Sequence, residues 1–388
     1  MLVGIIGAPN KGKSTIFSAL TMNEVQIADY AFTTVKPNLG VAEVPKACVE
    51  KELHVKCMPR NSRCVNGVRM LPVNMVDVAG LVPGAHLGKG MGNQFLSDLA
   101  NADVLIQVVD LSGCTDINGA PAADADPAEE VLMVRRELVE WIAGIVARHM
   151  PQLSKAGDAV SGLHGFMSGF RATAEQIRAA IDSAFLTSSM INWNKDECVR
   201  FADKFLGMNK PVIIAANKMD KAGHEKFEKL QGSLKGYMVI GCSGAVELAL
   251  RKAVKSGLAA YDSSKNELVV VGNPNGEQAH GIEVIRNYLK AHGSTGVELL
   301  LQRAVFDVLK NIVVYPVEDE NKYTDHFGNV LPDAILMEKG STALQLAMRI
   351  HTDIAKGMRY GIDARSRMRI PKEQELKDND VLKIVSVH

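Results

Sequence analysis

A doubly wound α/β fold, with an α-helical insertion and a small β-rich module after it, is predicted by three features of this chain. Short apolar runs ending in glycine or polar turns alternate with helical stretches. Helical periodicity alone takes over between residues 114 and 208. From residue 311 onward, short strand-like runs surround one amphipathic helix.

The elements follow in order. "MLVGIIG" reads as a buried parallel strand, and "KSTIFSALTM" as a helix with Ile16, Phe17 and Leu20 on one face. "MLPVNMVDVAG", "DVLIQVVDLSG", "KPVIIAANKMD" and "GYMVIGCSG" are further buried strands whose polar ends place functional loops at one edge of the sheet. In "DADPAEEVLMVRRELVEWIAGIVARHM", Val131, Val134, Leu138, Trp141, Ile142 and Ile145 recur at helical spacing, and "EQIRAAIDSAF" and "DECVRFADKFL" repeat that character. A structureless loop of that length would be implausible, so 114–208 is expected to be mostly helix. "IVVYPVED", "AILMEKGST", "ALQLAMRIHTDIAKG", "MRYGIDA" and "VLKIVSV" form the last module. The expected division is 1–113 with 209–310 as the core, 114–208 as the insertion and 311–388 as the final domain.

The chain has 388 residues, 47% hydrophobic and 23% charged, with Lys+Arg equal to Asp+Glu at 44 each. That is an ordinary globular composition, and its neutrality supplies no global attraction to nucleic acid or membrane. No apolar run is long enough to span a bilayer, and the N-terminus lacks a basic start and a cleavage site, so a cytoplasmic protein is expected. Six scattered cysteines (48, 57, 64, 114, 198, 242) fit a reduced compartment. Cys57 and Cys64 flank "MPRNSR" at a spacing too wide for a usual zinc knuckle, and read as two thiols in a loop.

"GAPNKGKST" from Gly7 to Thr15 joins the first strand to the first helix with the spacing of a phosphate-binding loop. Asn10, Lys11, Gly12, Lys13, Ser14 and Thr15 are its candidate nucleotide contacts. Lys13 is expected at the β and γ phosphates, and the Ser14 hydroxyl at Mg²⁺. Asn217, Lys218 and Asp220 of "NKMD" follow another strand. A carboxylate at Asp220 can accept from the ring N–H and the exocyclic amine of guanine together, which adenine cannot match. In "CSGA", Ser243, Gly244 and Ala245 suit a backbone contact to the base. Asp77 and Gly80 fit a strand-end Mg²⁺ aspartate and a γ-phosphate N–H. Thr34 in "YAFTTVKPNLG" is the favoured second Mg²⁺-side hydroxyl, with Thr33 behind it.

These stretches, with "DVAGLVPGAHLGKGMGNQFL" and "DENKYTDHFGNVLP…GSTALQLAMRIHTDIAKG", resemble an Obg-type GTPase of the YchF subfamily along essentially the whole chain. The resemblance implies a P-loop GTPase core, a helical insertion, a C-terminal β-grasp domain of the TGS type and an association with ribosomes or translation. Many YchF relatives prefer ATP, but the retained Asp220 points to GTP. The resemblance also implies a hydrophobic residue in place of a water-orienting glutamine, here Leu81. The water is then placed by His86, by K⁺ near Asn10, or by a group from a partner. A slow intrinsic rate is expected. Glycines 84, 88, 90 and 92 suggest a loop ordered by the γ-phosphate. Lys356, Arg359, Arg365, Arg367, Arg369 and Lys372, with Tyr360 among them, suggest a local RNA contact. Two alternatives stay open: an ATPase of the same family, and a nucleotide-dependent ribosome- or RNA-binding module with negligible hydrolysis.

Overall fold

The computed structural model describes residues 1–22, 39–78, 80–87, 99–155, 157–187, 192–262 and 265–387. Thr33, Thr34 and glycines 88, 90 and 92 lie outside them. The described residues form two compact units: 1–42 with 74–300, and 43–73 with 301–388.

A seven-stranded sheet holds the strands of the first unit. Its strands are β1 (Leu2–Ile6), β2 (Leu39–Ala47), β3 (Arg63–Val65), β4 (Val68–Asp77), β5 (Val104–Asp110), β6 (Val212–Asn217) and β7 (Met238–Gly241), in the order β2-β4-β1-β5-β6-β7 with β3 on β4. Of these, β3 with the end of β2 and the start of β4 falls within residues 43–73. β4, β1, β5, β6 and β7 run parallel, with Ile5 beside Asp77 and Asp110 beside Asn217. The chain passes from β1 to β4 on one side and then crosses to β5 on the other. Such a reversal opens a crevice at the carboxyl ends of the strands, where ligands bind. Every residue of β5 is buried, as a central parallel strand requires.

Helices α1 (Lys13–Leu20), α2 (Pro127–Leu153), α3 (Ala159–Met167), α4 (Ala174–Ser183), α5 (Lys195–Asn209), α6 (His224–Ser233), α7 (Gly244–Lys255) and α8 (Gly276–His292) accompany the sheet. The periodic stretches of 114–208 are α2, α4 and α5. Asp126 starts α2 by accepting from the Ala128 N–H, with Pro127 in the first turn where its missing donor costs nothing. Asn194 and Glu197 cap α5 reciprocally. Ile142, Val146, Phe201 and Phe205 from these helices share one core with Ile6, Val76 and Leu105 of the sheet. The insertion is therefore continuous with the core that supports the crevice. The antiparallel hairpin β8 (Ala259–Asp262) and β9 (Glu267–Val270), absent from the sequence reading, precedes α8.

In the second unit, β10 (Ile312–Val317), β11 (Ile335–Met337), β12 (Met358–Asp363), β13 (Arg369–Ile370) and β14 (Val381–Ser386) form a mixed sheet in the order β11-β10-β14-β12-β13. Helix α9 (Ala343–Ile350) packs Leu346 and Ala347 against Val314, Met358 and Leu382. Residues 43–73, which the sequence reading placed in the core, cluster with this unit. The reason is backbone pairing: the Met58 and Arg60 N–H groups donate to the Val330 and Pro332 carbonyls, and buried Arg69 donates to Leu331 O. The basic run from Lys356 is partly spent internally. Arg365 pairs with Glu52, Arg367 donates to Glu320 O, and Arg369 covers the Tyr360 ring at 4.5 Å.

Candidate functional site

The turn after β1 is built from positions that reject ordinary side chains. Gly7 and Gly12 have φ of 140° and 92°, and Asn10, at 63°, has the residue type that tolerates this region. A Cβ on Gly12 would lie 2.3 Å from Asn217 Nδ2, so this glycine lets β6 close onto the loop. Gly12 precedes α1 without a side-chain cap, which leaves the first-turn N–H groups of Lys13, Ser14 and Thr15 directed at the crevice.

The two lysines of the loop behave differently. Lys13 folds back and donates to Ala8 O at 2.8 Å, and burial lowers its pKa. A Cβ on exposed Gly80 would lie 3.3 Å from Lys13 Nζ, so the two sit side by side. Lys11 points inward, 1% exposed, and pairs with Glu130 at 2.9 Å. It also donates to Thr115 O, Thr115 Oγ1 and Asp116 O. Its side chain is committed, so what Lys11 offers a phosphate is its backbone N–H. Burial pushes the Glu130 carboxyl up against the pull of Lys11, and that carboxyl also accepts from Ala8 N–H. Breaking a buried pair on one side leaves an uncompensated charge, so Glu130→Ala should lower the unfolding free energy by about 3–5 kcal/mol. Urea titration measures this, and the double change Lys11→Met with Glu130→Leu should recover most of it.

Ser14 Oγ donates to Asp77 Oδ2 at 2.7 Å, while Asp77 Oδ1 is buried with no partner among the described residues. A hydroxyl, a carboxylate and one orphaned buried oxygen at a strand end are a donor set suited to Mg²⁺. Thr34, the other residue expected there, lies outside the described residues.

Asn217 and Lys218 clasp the loop from β6. Asn217 donates to Lys11 O at 2.8 Å and accepts from Gly244 N–H at 2.9 Å. Lys218 donates to Asn10 O and to Asp110 Oδ2. Burial raises Asp110, but Lys218, Ser112 and Thr115 outweigh it and hold its carboxyl below the usual range. Asp220 is exposed, and Ser243 Oγ donates to it at 2.6 Å. Ser243 N–H is taken by Thr295 O and Gly244 N–H by Asn217, so the exposed Ala245 carries the next N–H of this stretch.

Leu81, at the position of the missing glutamine, is 2% exposed in the core cluster, and its N–H donates to Gly7 O at 3.1 Å. It therefore cannot reach the crevice. His86 is half-buried on a short 3₁₀ turn, with Nδ1 2.7 Å from Glu137 Oε2. Glu137 also accepts from the Gly84 and His86 N–H groups. Burial raises Glu137, but those three donors outweigh it and keep the carboxyl ionised below its usual range. Glu130 and Glu137 are two turns apart on α2 and share one face. The apolar spacing that marks α2 in the sequence does not single out these two acids, nor Asp110. Their signal was two glutamates in phase with the buried stripe.

Residues 2–146 match the family described as 50S ribosome-binding GTPase. Residues 215–319 match Obg-like GTPase YGR210-like, G4 motif-containing domain, and 327–386 match the TGS domain. An uncharacterized GTP-binding protein of Methanocaldococcus jannaschii is 44% identical over 99% of both chains. The protein named ribosome-binding ATPase YchF of Pasteurella multocida is 30% identical over 68% of both. The crystal structure of a GTP-binding protein from Pyrococcus horikoshii OT3 covers 100% of both chains at 36% identity and a TM-score of 0.80. No helix among the described residues is long and apolar enough to cross a membrane. The P-loop clasped by Asn217 and Lys218, the TGS match and these full-length relatives together place the chain in the Obg-like, YchF-type family of GTP-binding P-loop GTPases.

Proposed function

We propose that this protein is a GTP-hydrolysing switch that acts on the ribosome. The carrying observation is Asp220, exposed and oriented by Ser243, beside the Asn217–Lys218 clasp on the phosphate loop. A carboxylate there accepts from both donors of guanine, and Ala245 N–H faces the same region. Adenine would leave Asp220 without a match.

Lys13 and the N–H groups of Lys13, Ser14 and Thr15 hold the phosphates, and Gly80 N–H meets the terminal one. Ser14 and Asp77, joined by Thr34, would hold Mg²⁺, which when bound neutralises charge on the phosphate oxygens. An ionised Glu137 carboxylate can only accept, so the proton shared between them sits on His86 Nδ1. Nε2 is the remaining ring nitrogen, and in the Nδ1–H tautomer its lone pair can orient an attacking water. Asn10 Nδ2 donates to Gly119 O, which leaves its Oδ1 as the atom for K⁺.

The ribosome enters through the family description and the names of the YchF relatives. Of the basic run, exposed Arg359 is the side chain best disposed for phosphate contact, while Lys356 pairs with Asp353 at 3.3 Å. The reading predicts a cytoplasmic protein and nucleotide-dependent, salt-sensitive co-sedimentation with ribosomes. Calorimetry with GTP and ATP, followed by single-turnover hydrolysis with and without ribosomes and K⁺, tests it. GTP should bind more tightly, and ribosomes should speed a slow reaction. Tighter ATP binding would defeat the base assignment. Absence of phosphate release under every condition would leave only a nucleotide-dependent binding module.

A further inference from the structure

Within the second unit, Cys48, Glu50, Cys57 and Cys64 bring one ligand atom each to within 4.8 Å of one another. We propose that these four side chains form a mononuclear zinc-class metal site that staples the end of β2 to the β3–β4 hairpin.

The folding of the segment explains how residues so spaced converge. Cys48 follows β2, and its N–H donates to Gly67 O. Asn66 and Gly67, with φ of 54° and 79°, make the tight turn that twisted hairpins favour. That turn carries Cys64 on β3 back alongside β4, in register with Arg69. Between them, Leu53 N–H donates to Val49 O and Val55 N–H to Glu50 O, a compact turn that returns Cys57 to Glu50. Cys57 N–H donates to Glu50 Oε2 at 2.9 Å, which fixes the carboxylate.

The spacings fit one ion better than the other uses of thiols. A tetrahedral zinc with its usual bond lengths sets sulfurs about 3.8 Å apart and a sulfur and carboxylate oxygen about 3.6 Å apart. Here Cys48 Sγ and Cys57 Sγ are 3.9 Å apart, and Cys64 Sγ and Glu50 Oε1 are 3.6 Å apart. A disulfide needs about 2.05 Å. An iron–sulfur cluster, with several metal atoms to enclose, needs its ligands spread more widely. Three thiolates with one carboxylate suit zinc in softness and in number. Cys48 and Cys57 are buried, with Cys64 and Glu50 half-buried, so the site is shielded but reachable. Arg69 is fully buried across the hairpin from Cys64, held by Leu331 O and Ser62 Oγ. Its fixed positive charge offsets part of the negative charge that three thiolates and a carboxylate leave around a divalent ion.

The test uses the full chain, purified without chelator from zinc-supplemented culture. Elemental analysis should find about one zinc per chain. Mercurial titration of the thiols should release it, and Cys57→Ser and Cys64→Ser should each lower the content at least fivefold. Guanine-nucleotide affinity checks that these variants fold, because the P-loop belongs to the other unit. Independently of any variant, cobalt added to the reduced metal-free protein should produce the intense visible bands of a tetrahedral thiolate site. Three results would overturn the proposal: no metal retained and none taken up after reduction, metal content unchanged in both variants, or a Cys48–Cys57 disulfide in the protein as purified.

Discussion

Asp220→Asn should weaken GTP binding by about a hundredfold or more and transfer the preference to xanthosine triphosphate. The carboxylate has two acceptor oxygens, of which Oδ1 receives the Ser243 hydroxyl. Guanine offers two donors along the facing edge. An amide replaces one acceptor with a donor, so one donor of guanine meets another donor. Xanthine carries a carbonyl where guanine carries the amine, and the amide then matches it. Ser243 donates as well to an amide oxygen as to a carboxylate, so the fold should tolerate the change. Fluorescent-nucleotide titration of GTP, XTP and ATP against both proteins measures it. Unaltered GTP affinity in the variant would place the base elsewhere.

His86→Ala should slow single-turnover hydrolysis at saturating GTP by about a hundredfold or more, with little change in GTP affinity, because a positioned acid–base group contributes on that scale. Leu81 lies in the core with its N–H bound to Gly7 O. Its side chain faces the core and not the crevice. His86 is the first side chain after Leu81 with the chemistry to orient water, and Glu137 fixes its ring. Glu137→Gln should therefore give a smaller loss of the same kind, in rate and not in affinity, since it acts only by positioning His86. Equal rates for His86→Ala and wild type would shift the task to K⁺ at Asn10 or to a partner. Repeating the assay in sodium and then with ribosomes would separate those two.

The parts of the site that sequence made legible are those specified by local backbone demands. Gly7, Gly12 and Asn10 stand where φ is positive, and their spacing announces a phosphate turn before any packing is known. Asp77 and Asn217 end apolar runs, and a buried parallel strand that stops at a polar residue marks the edge where loops begin. The less legible parts depend on contacts between distant segments. Lys11 looks like a second phosphate lysine in "NKGKS", yet Glu130, more than a hundred residues away, draws it inward. Glu137 is one acid on an amphipathic helix until Gly84 and His86 are placed against it.

The cysteines make the same point. Cys57 and Cys64 match no compact metal motif, because two of the four converging groups, Cys48 and Glu50, arrive through a turn and a hairpin. Residues 43–73 likewise carry the end of β2, β3 and the start of β4, yet they cluster with the C-terminal unit, where Met58 and Arg60 pair with Val330 and Pro332.

By itself, then, the order of residues determined the class of fold, the phosphate turn and the family, since each is written in short contiguous patterns with a direct steric or hydrogen-bonding cause. Tertiary structure alone decided where Leu81 and Lys11 point, which acids brace the phosphate turn and His86, and which thiols meet. Those outcomes depend on burial and ion pairing across long stretches of chain, and the partner of a buried charge in a low-dielectric interior is not written in the residues beside it.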